Sequence, residues 1–427
     1  MKELPLTGIV RLAGSKSILQ RIMLICSLQA MKIELSPASV CEDVSEMAEA
    51  IRNIDADVIF TDRTLVIDSS HAHIAANAVN PVYFTASATA FRFWLTRSLV
   101  SPAKTIIRIS EQLHKRPYIS FLTTLEAFGC KVTLSGTDDS AYSHQIEITP
   151  ASKTLEEITV DGSFSSQFIS GLMLIAPILT EGLTIRFSLP PVSVDYINLT
   201  ALVLQAFGVH CILEQDKVII PANQPYKVME SIKIEPDMSS AAFFLCLGAF
   251  SQAGITLETN TSTKWQPDWH ILSILQSMGV SIKETEDKVT AKACELHGIE
   301  CELSSNPDLV PILTIVALFA DSKSTFKNIS HLRYKESDRI AGLTNALKLI
   351  GADYLFQNDS LTIYPYKKVP KAAFLDTQND HRLVMAFTLL ALHYPQILLT
   401  ERLSVSKSCP EFEVLLKSLK LGNDNCS

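Results

Sequence analysis

The sequence predicts an α/β protein made of six copies of one folding unit, grouped as two domains of three units each. Three observations carry this. An apolar helix end, a Gly and a short β-rich run recur along the chain, with markers at positions 55, 129, 208, 279, 351 and 422. Successive markers lie 71 to 79 residues apart. Between them, helical-period and strand-like stretches alternate. A period of roughly 70 residues exceeds the 20–50 of solenoid repeats, so two three-unit domains fit better.

The markers read Leu125-Glu126-Ala127-Phe128-Gly129, Leu204-Gln205-Ala206-Phe207-Gly208, Leu275-Gln276-Ser277-Met278-Gly279 and Leu347-Lys348-Leu349-Ile350-Gly351. Ile51-Arg52-Asn53-Ile54-Asp55 is a weaker copy with Asp in the Gly place, and Leu419-Lys420-Leu421-Gly422 closes the set. Gly after a helix is the left-handed stop, where a missing Cβ avoids strain.

Polar residues collect where helices start. Gly14-Ser15-Lys16-Ser17 precedes the apolar-periodic run Ile18 to Leu24, with Ser as cap and Arg21 one turn beyond Ser17. Asp161 to Gln167 opens a helix from Phe168 to Leu179, and Lys335 to Arg339 opens Ile340 to Ile350. Asn379 to Arg382 opens Leu383 to Leu392. Asp237-Met238-Ser239-Ser240 and Asn306-Pro307-Asp308 open two more. Capping explains Ser, Asp and Asn at these places. It does not explain Lys16, Arg339 and Arg382, since a cation there opposes the helix dipole at a cost of up to about 1 kcal/mol. Three such choices point to anion binding.

Composition excludes several classes. The net charge of −8 and the absence of basic blocks argue against a nucleic-acid partner. The longest apolar stretches, Leu309 to Ala320 and Ala241 to Phe250, fall short of the roughly 18 residues of a spanning helix. The start, Met1-Lys2-Glu3-Leu4-Pro5, has no signal-type apolar core. Nine Cys without a C-x-x-C pair read as reduced cytoplasmic thiols rather than a disulfide frame or zinc site. No H-E-x-x-H, G-x-G-x-x-G or P-loop is present, so no metal or nucleotide cofactor is expected.

These residues taken together resemble the 5-enolpyruvylshikimate-3-phosphate synthase family (3-phosphoshikimate 1-carboxyvinyltransferases) over nearly the whole chain. The matching segments run in family order. They are Gly14 to Ser17 with Arg21, Glu42-Asp43-Val44, Thr89 to Arg92 and Arg116-Pro117, then Asp161 to Phe168 and Ser193 with Tyr196. Asp237 to Ser240, Asp308, Lys335 to Arg339, Asn379 to Arg382, and Lys407 with Pro410 complete them. The resemblance implies a two-lobed, inverted α/β barrel-like fold of six βαβαββ units, three per lobe, with the active site in the cleft between lobes. It places residues 15–234 in one lobe, and 1–14 with 235–427 in the other.

The implied reaction transfers the enolpyruvyl group of phosphoenolpyruvate to the 5-hydroxyl of shikimate 3-phosphate and releases phosphate. This is a step of the shikimate pathway to chorismate and aromatic amino acids. No cofactor is implied, and the partners are the two small molecules, acting on a cytoplasmic monomer. Four anionic substrate groups would meet eight cations: Lys16, Arg21, Arg92, Arg116, Lys335, Arg339, Arg382 and Lys407. By resemblance, Ser165, Ser166 and Ser193 hold the phosphate of shikimate 3-phosphate. Lys16, Ser17, Arg21, Gln167, Tyr196, Asp308, His331 and Lys335 surround the rest of it. Phosphoenolpyruvate falls to Lys16, Ala88, Arg116, Gln167, Arg339, Arg382 and Lys407. Asp308 is the implied base, Glu336 the implied acid, and Lys16 an alternative proton shuttle.

Some positions depart from the family. Ala86-Ser87-Ala88-Thr89-Ala90-Phe91-Arg92 stands where the family has N-x-G-T-x-x-R, so Ala88 replaces a Gly that lies against phosphoenolpyruvate. A methyl there is expected to protrude into the cavity that glyphosate shares, which implies glyphosate tolerance. His331 stands for a frequent Asn and Ala13 for a common Pro. Two other readings stay open at this point. One is the sister enolpyruvyl transferase acting on UDP-N-acetylglucosamine, although Glu111 occupies the place of its Cys. The other is an anion-binding relative that has lost turnover.

Overall fold

Five of the six markers adopt the left-handed backbone that a helix stop requires: φ is 62° at Asp55, 104° at Gly129, 78° at Gly208, 95° at Gly279 and 76° at Gly351. The sixth, Gly422, lies outside the residues that the computed structural model describes, which are 4–71, 80–151, 156–259, 261 and 263–421. The chain divides into two units, Gly14–Ile234, and Met1–Ala13 with Glu235–Ser427. Gly14 groups with the residues that follow it.

The unit Gly14–Ile234 carries helices α1 (Lys16–Cys26), α2 (Glu42–Arg52), α3 (Ala88–Arg97), α4 (Glu111–His114), α5 (Ile119–Phe128), α6 (Gln167–Ile175) and α7 (Val194–Ala206). Its three four-stranded sheets share one pairing pattern. In one, Val82–Phe84 runs parallel to Thr105–Ile109, which pairs antiparallel with His144–Thr149, itself paired with Lys131–Gly136. Another repeats this with Glu157–Asp161, Leu183–Leu189, Lys217–Ile220 and Ile212–Leu213. The remaining sheet is permuted. Lys32–Ser36, Thr64–Asp68 and Asp57–Thr61 come from the unit's start, whereas the first strand, Ser231–Lys233, comes from its end.

Strand residues alternate between core and exterior, as period-2 geometry dictates: Ile107, Ile109, Ile146 and Ile148 are buried. Helices α1, α3 and α6 are buried on nearly every side, the condition of a helix that is apolar all round. The α3–α6 crossing is close because Gly171 has no Cβ. A Cβ there would lie 2.4 Å from Thr96 Oγ1.

The other unit carries α8 (Met238–Gly248), α9 (Ile271–Ser277), α10 (Val310–Ala317), α11 (Arg339–Ile350), α12 (His381–His393) and α13 (Phe412–Ser418). One sheet places Leu6–Val10 beside Ile255–Glu258, continuing to Lys288–Lys292 and Ser281–Glu284. A second joins Glu300–Glu302, Ser324–Lys327, Ser360–Ile363 and Tyr354–Gln357 in the shared pattern.

The third sheet is smaller than the others. Among the described residues it has two strands, Ala373–Leu375 and Ile397–Leu399. The strand after α13, Lys420–Leu421, pairs instead with Leu6 and Thr7. There it covers an edge that would otherwise expose unpaired backbone groups. Among the described residues, no helix is long and apolar enough to cross a membrane.

The left-handed stops give a paired prediction. Asp55 bears a Cβ at φ 62°, so Asp55→Gly should stabilise by about 0.5–1 kcal/mol, strain relief outweighing the added freedom of the unfolded chain. A Cβ at Gly351 would meet nothing within 4 Å. Gly351→Ala should therefore cost about 1 kcal/mol through backbone strain alone. Urea unfolding of both variants measures this, and equal signs would refute it.

Candidate functional site

In the unit Gly14–Ile234 the predicted residues gather at the N-terminal ends of α1, α3, α6 and α7. Lys16 opens α1, and its Nζ donates to Asp43 Oδ2 at 2.8 Å. Asp43 lies in the first turn of α2, where a carboxylate suits the helix dipole. The cation that opposed one dipole is thus matched by an acid favoured by another.

Arg21, one turn along α1, is 2% exposed. Its Nε donates to Thr200 Oγ1 (2.8 Å), Nη1 to the Ser17 carbonyl (2.7 Å), and Nη2 to Ser170 Oγ (3.3 Å) and the Tyr196 carbonyl (3.1 Å). All four acceptors are neutral. The rings of Phe93 and Tyr196 flank the guanidinium at 5.7 and 5.9 Å. Burial brings its pKa down to about 10. A buried cation bonded only to neutral oxygens retains an electrostatic demand for an anion.

The α3–α6 crossing places the next pair. Arg92 lies one turn before Thr96, and Gln167 one turn before Gly171. Arg92 Nη1 donates to Gln167 Oε1 (2.6 Å) and Ser165 Oγ (3.3 Å), while Nη2 reaches the Pro117 carbonyl (2.9 Å). Gln167 Nε2 donates to Thr89 Oγ1 at 2.7 Å. Arg92 therefore ties the start of α6 to the turn carrying half-buried Arg116. Gly162 lets the serine loop approach its neighbour, since a Cβ there would sit 2.7 Å from Pro191 Cα. The Val192 amide donates to the Gly162 carbonyl at 3.1 Å. Ser165 and buried Ser166 thereby lie on a loop abutting the one that presents Ser193 at the start of α7.

Ala88 is the first residue of α3 and 6% exposed. The amides of Thr85, Ala86 and Ser87 ahead of it all donate to the Glu46 carboxylate, at 3.0, 2.8 and 3.0 Å.

The second unit holds a separate, denser cluster around Arg339, which is 1% exposed. Its three nitrogens serve three acids: Nε to Asp380 Oδ2 (2.8 Å), Nη1 to Asp308 Oδ1 (2.8 Å) and Nη2 to Glu336 Oε2 (2.7 Å). Lys407 Nζ donates to Glu336 Oε1 at 3.3 Å. Asp380 does two jobs: Oδ1 caps α12 through the Arg382 amide (2.8 Å), and Oδ2 takes Arg339 and Ser337. Glu336 and Asp308 are therefore neither a surface ion pair nor a helix cap.

Arg382 is 3% exposed, and its Nη2 lies 3.1 Å from Asp308 Oδ2. Nε, Nη1 and Nη2 of this buried guanidinium all lack a hydrogen-bond acceptor, a costly arrangement unless a ligand supplies oxygens. Burial would raise the Asp308 pKa, but Arg382, Arg339 and Lys335 hold it well below the carboxylate range. Asp268, behind it, is pushed up to about 6 by burial and by Asp308. Burial and then Lys335 bring His331 down to about 4, so its imidazole is neutral near pH 7. Among the described residues, no group of three His, Cys, Asp or Glu could hold a metal ion.

Each predicted site residue thus falls into one of two sets, one per unit. Sequence reasoning missed Asp380, Asp43, Ser170 and Thr200 as partners of the cations. Ser170 and Thr200 had a signal, a lone hydroxyl inside an apolar helix.

The EPSP synthase (3-phosphoshikimate 1-carboxyvinyltransferase) family model matches residues 2–416. The 3-phosphoshikimate 1-carboxyvinyltransferase of Nitrosomonas europaea is 30% identical, the match covering 95% of this chain and 94% of the relative. That of Colwellia psychrerythraea is 26% identical, covering 95% of each. Among solved structures, EPSP synthase from Acinetobacter baumannii superposes with a TM-score of 0.79 at 21% identity, covering 99% of this chain and 97% of that one. The enolpyruvyl transferase NikO from Streptomyces tendae gives 0.73 at 17% identity, covering 98% and 95%.

Proposed function

Because the chain belongs to the EPSP synthase family, the 3-phosphoshikimate 1-carboxyvinyltransferases, we propose that its two buried cation sets receive the anionic groups of shikimate 3-phosphate and phosphoenolpyruvate. The buried guanidinium of Arg382, ion-paired with Asp308 but without a hydrogen-bond acceptor, is the observation that carries this reading. In it, Ser165, Ser166 and Ser193 take the phosphate of shikimate 3-phosphate, and Ser17, Arg21, Gln167, Tyr196, His331 and Lys335 take its ring and carboxylate. Lys16, Arg116, Gln167, Arg339, Arg382 and Lys407 take phosphoenolpyruvate. Arg supplies planar forks to carboxylate and phosphate, and Lys a point charge.

Asp308 then removes the proton of the 5-hydroxyl as it adds to C2 of phosphoenolpyruvate, and Glu336 protonates C3. The tetrahedral adduct collapses by expelling phosphate, while C3 returns its proton. Lys16 is the alternative proton carrier. A carboxylate held far below neutral pH, as Asp308 is, is a feeble base. Substrate anions competing for Arg382 and Arg339 would raise the Asp308 pKa toward working pH, so binding would arm the base. The chain would act as a cytoplasmic monomer. Its eight described cysteines are free thiols, which fits a reducing compartment.

Phosphate release tests this reading. Release should require shikimate 3-phosphate and phosphoenolpyruvate together; release with UDP-N-acetylglucosamine instead, or with neither acceptor, overturns it. With Ala88 at the start of α3, glyphosate should inhibit weakly. Ordinary tight inhibition in the same assay would refute that part.

A further inference from the structure

Outside the residues assigned above, the unit Gly14–Ile234 holds two imidazoles packed face to face. The rings of His114 and His144 lie 3.4 Å apart, centroid to centroid, with 8° between their planes. His114 ends α4, and its Nδ1 is 2.8 Å from the Tyr118 hydroxyl. That bond closes a short loop over Lys115, Arg116 and Pro117, with Arg116 at its centre. Tyr118 is buried edge-on against Phe91 at 5.2 Å. His144 opens the strand His144–Thr149, opposite Ile109, and its Nδ1 is 2.8 Å from Ser143 Oγ. The far side of the loop is held by Arg92, through the Pro117 carbonyl.

We propose that His114 and His144 are positioning residues that set the Arg116 loop for phosphoenolpyruvate, and that protonation within the stack at His114 loosens this grip in mild acid. The inference rests on the proposed role of Arg116. Two parallel imidazoles in contact cannot both carry charge without strong repulsion, so a proton on His114 works against the stack. The charged and titratable groups facing the pair are Glu111 and Lys115 on α4, and Tyr118. Glu111 Oε2 lies 3.9 Å from His144 Nδ1 and Oε1 3.6 Å from Lys115 Nζ. Burial and the neighbouring His144 lower the His114 pKa, against Glu111. The unfolded chain therefore binds this proton more readily, and the native stack weakens as pH falls through the ordinary histidine value of 6.5.

His144→Phe keeps a ring on His114 and removes the second imidazole, whereas His144→Ala removes the ring. Steady-state phosphate release yields KM for each substrate between about pH 5.5 and 7.5. Phosphoenolpyruvate titrates in this range for every enzyme alike, so ratios between enzymes are compared. At about pH 7.5, His144→Ala should raise KM for phosphoenolpyruvate roughly three- to tenfold with kcat within twofold, and His144→Phe should restore it. On acidification, wild-type KM for phosphoenolpyruvate should rise at least threefold more than that of His144→Phe, with no such divergence for shikimate 3-phosphate. A constant wild-type to His144→Phe ratio overturns the proposal, even if His144→Ala does not fold. Absence of phosphate release from wild type at every pH marks failure of the underlying reading and removes both claims.

Discussion

Arg339→Met should destabilise the protein by about 3–5 kcal/mol and abolish measurable turnover. The guanidinium is almost wholly buried and holds Asp380, Asp308 and Glu336 at 2.7–2.8 Å. Removing it strands three carboxylates, two of them still facing Arg382 or Lys407. The loss is therefore uncompensated charge as much as lost hydrogen bonding. Arg339→Lys preserves charge but cannot fork to three acids, so it should recover part of the stability and little of the rate. The pH dependence has a definite sign. Asp308 has a lowered folded pKa against an ordinary 3.8, so its contribution is present above that value and is lost as pH falls below it. The stability gap between wild type and Arg339→Met should persist through neutral pH and narrow in urea melts below about pH 4. A gap that widens in acid would contradict this assignment of charge.

Asp308→Asn should lower kcat by about 10²–10⁴-fold, the usual contribution of a positioned base. Its effect on phosphoenolpyruvate should run the opposite way. Asp308 neutralises Arg339 and Arg382 through both oxygens, so its removal leaves two guanidiniums more receptive to substrate oxygens. KM for phosphoenolpyruvate should stay level or fall while kcat collapses, placing the loss in the transition state. Raised KM with intact kcat would assign Asp308 to binding and leave the base unidentified.

The repeat was legible because a helix stop is a local device: its left-handed residue shows in the sequence as Gly, and as Asp at position 55. Spacing then revealed units whose pairing partners lie far apart in the chain. It could not reveal that the strand after α13 leaves the sixth unit for the edge at Leu6 and Thr7, since both copies of the marker look alike. Lys16, Arg339 and Arg382 were legible because they break the dipole preference at helix starts. Their partners were not. Asp380 looks like any N-cap, and only the fold shows its second oxygen on Arg339. Ser170 and Thr200 stand out as hydroxyls within their helices, but only helix packing makes them ligands of Arg21.

The central claim is that the buried cations are receptors for substrate oxygens, and Arg382, whose guanidinium has no hydrogen-bond acceptor, tests it most directly. Calorimetric titration of phosphoenolpyruvate into protein saturated with shikimate 3-phosphate compares wild type with Arg382→Met. Affinity should fall at least about tenfold, from losing charged hydrogen bonds of about 1.5–3 kcal/mol. Wild-type affinity in the variant would mean that this guanidinium meets no substrate, and the account would fail.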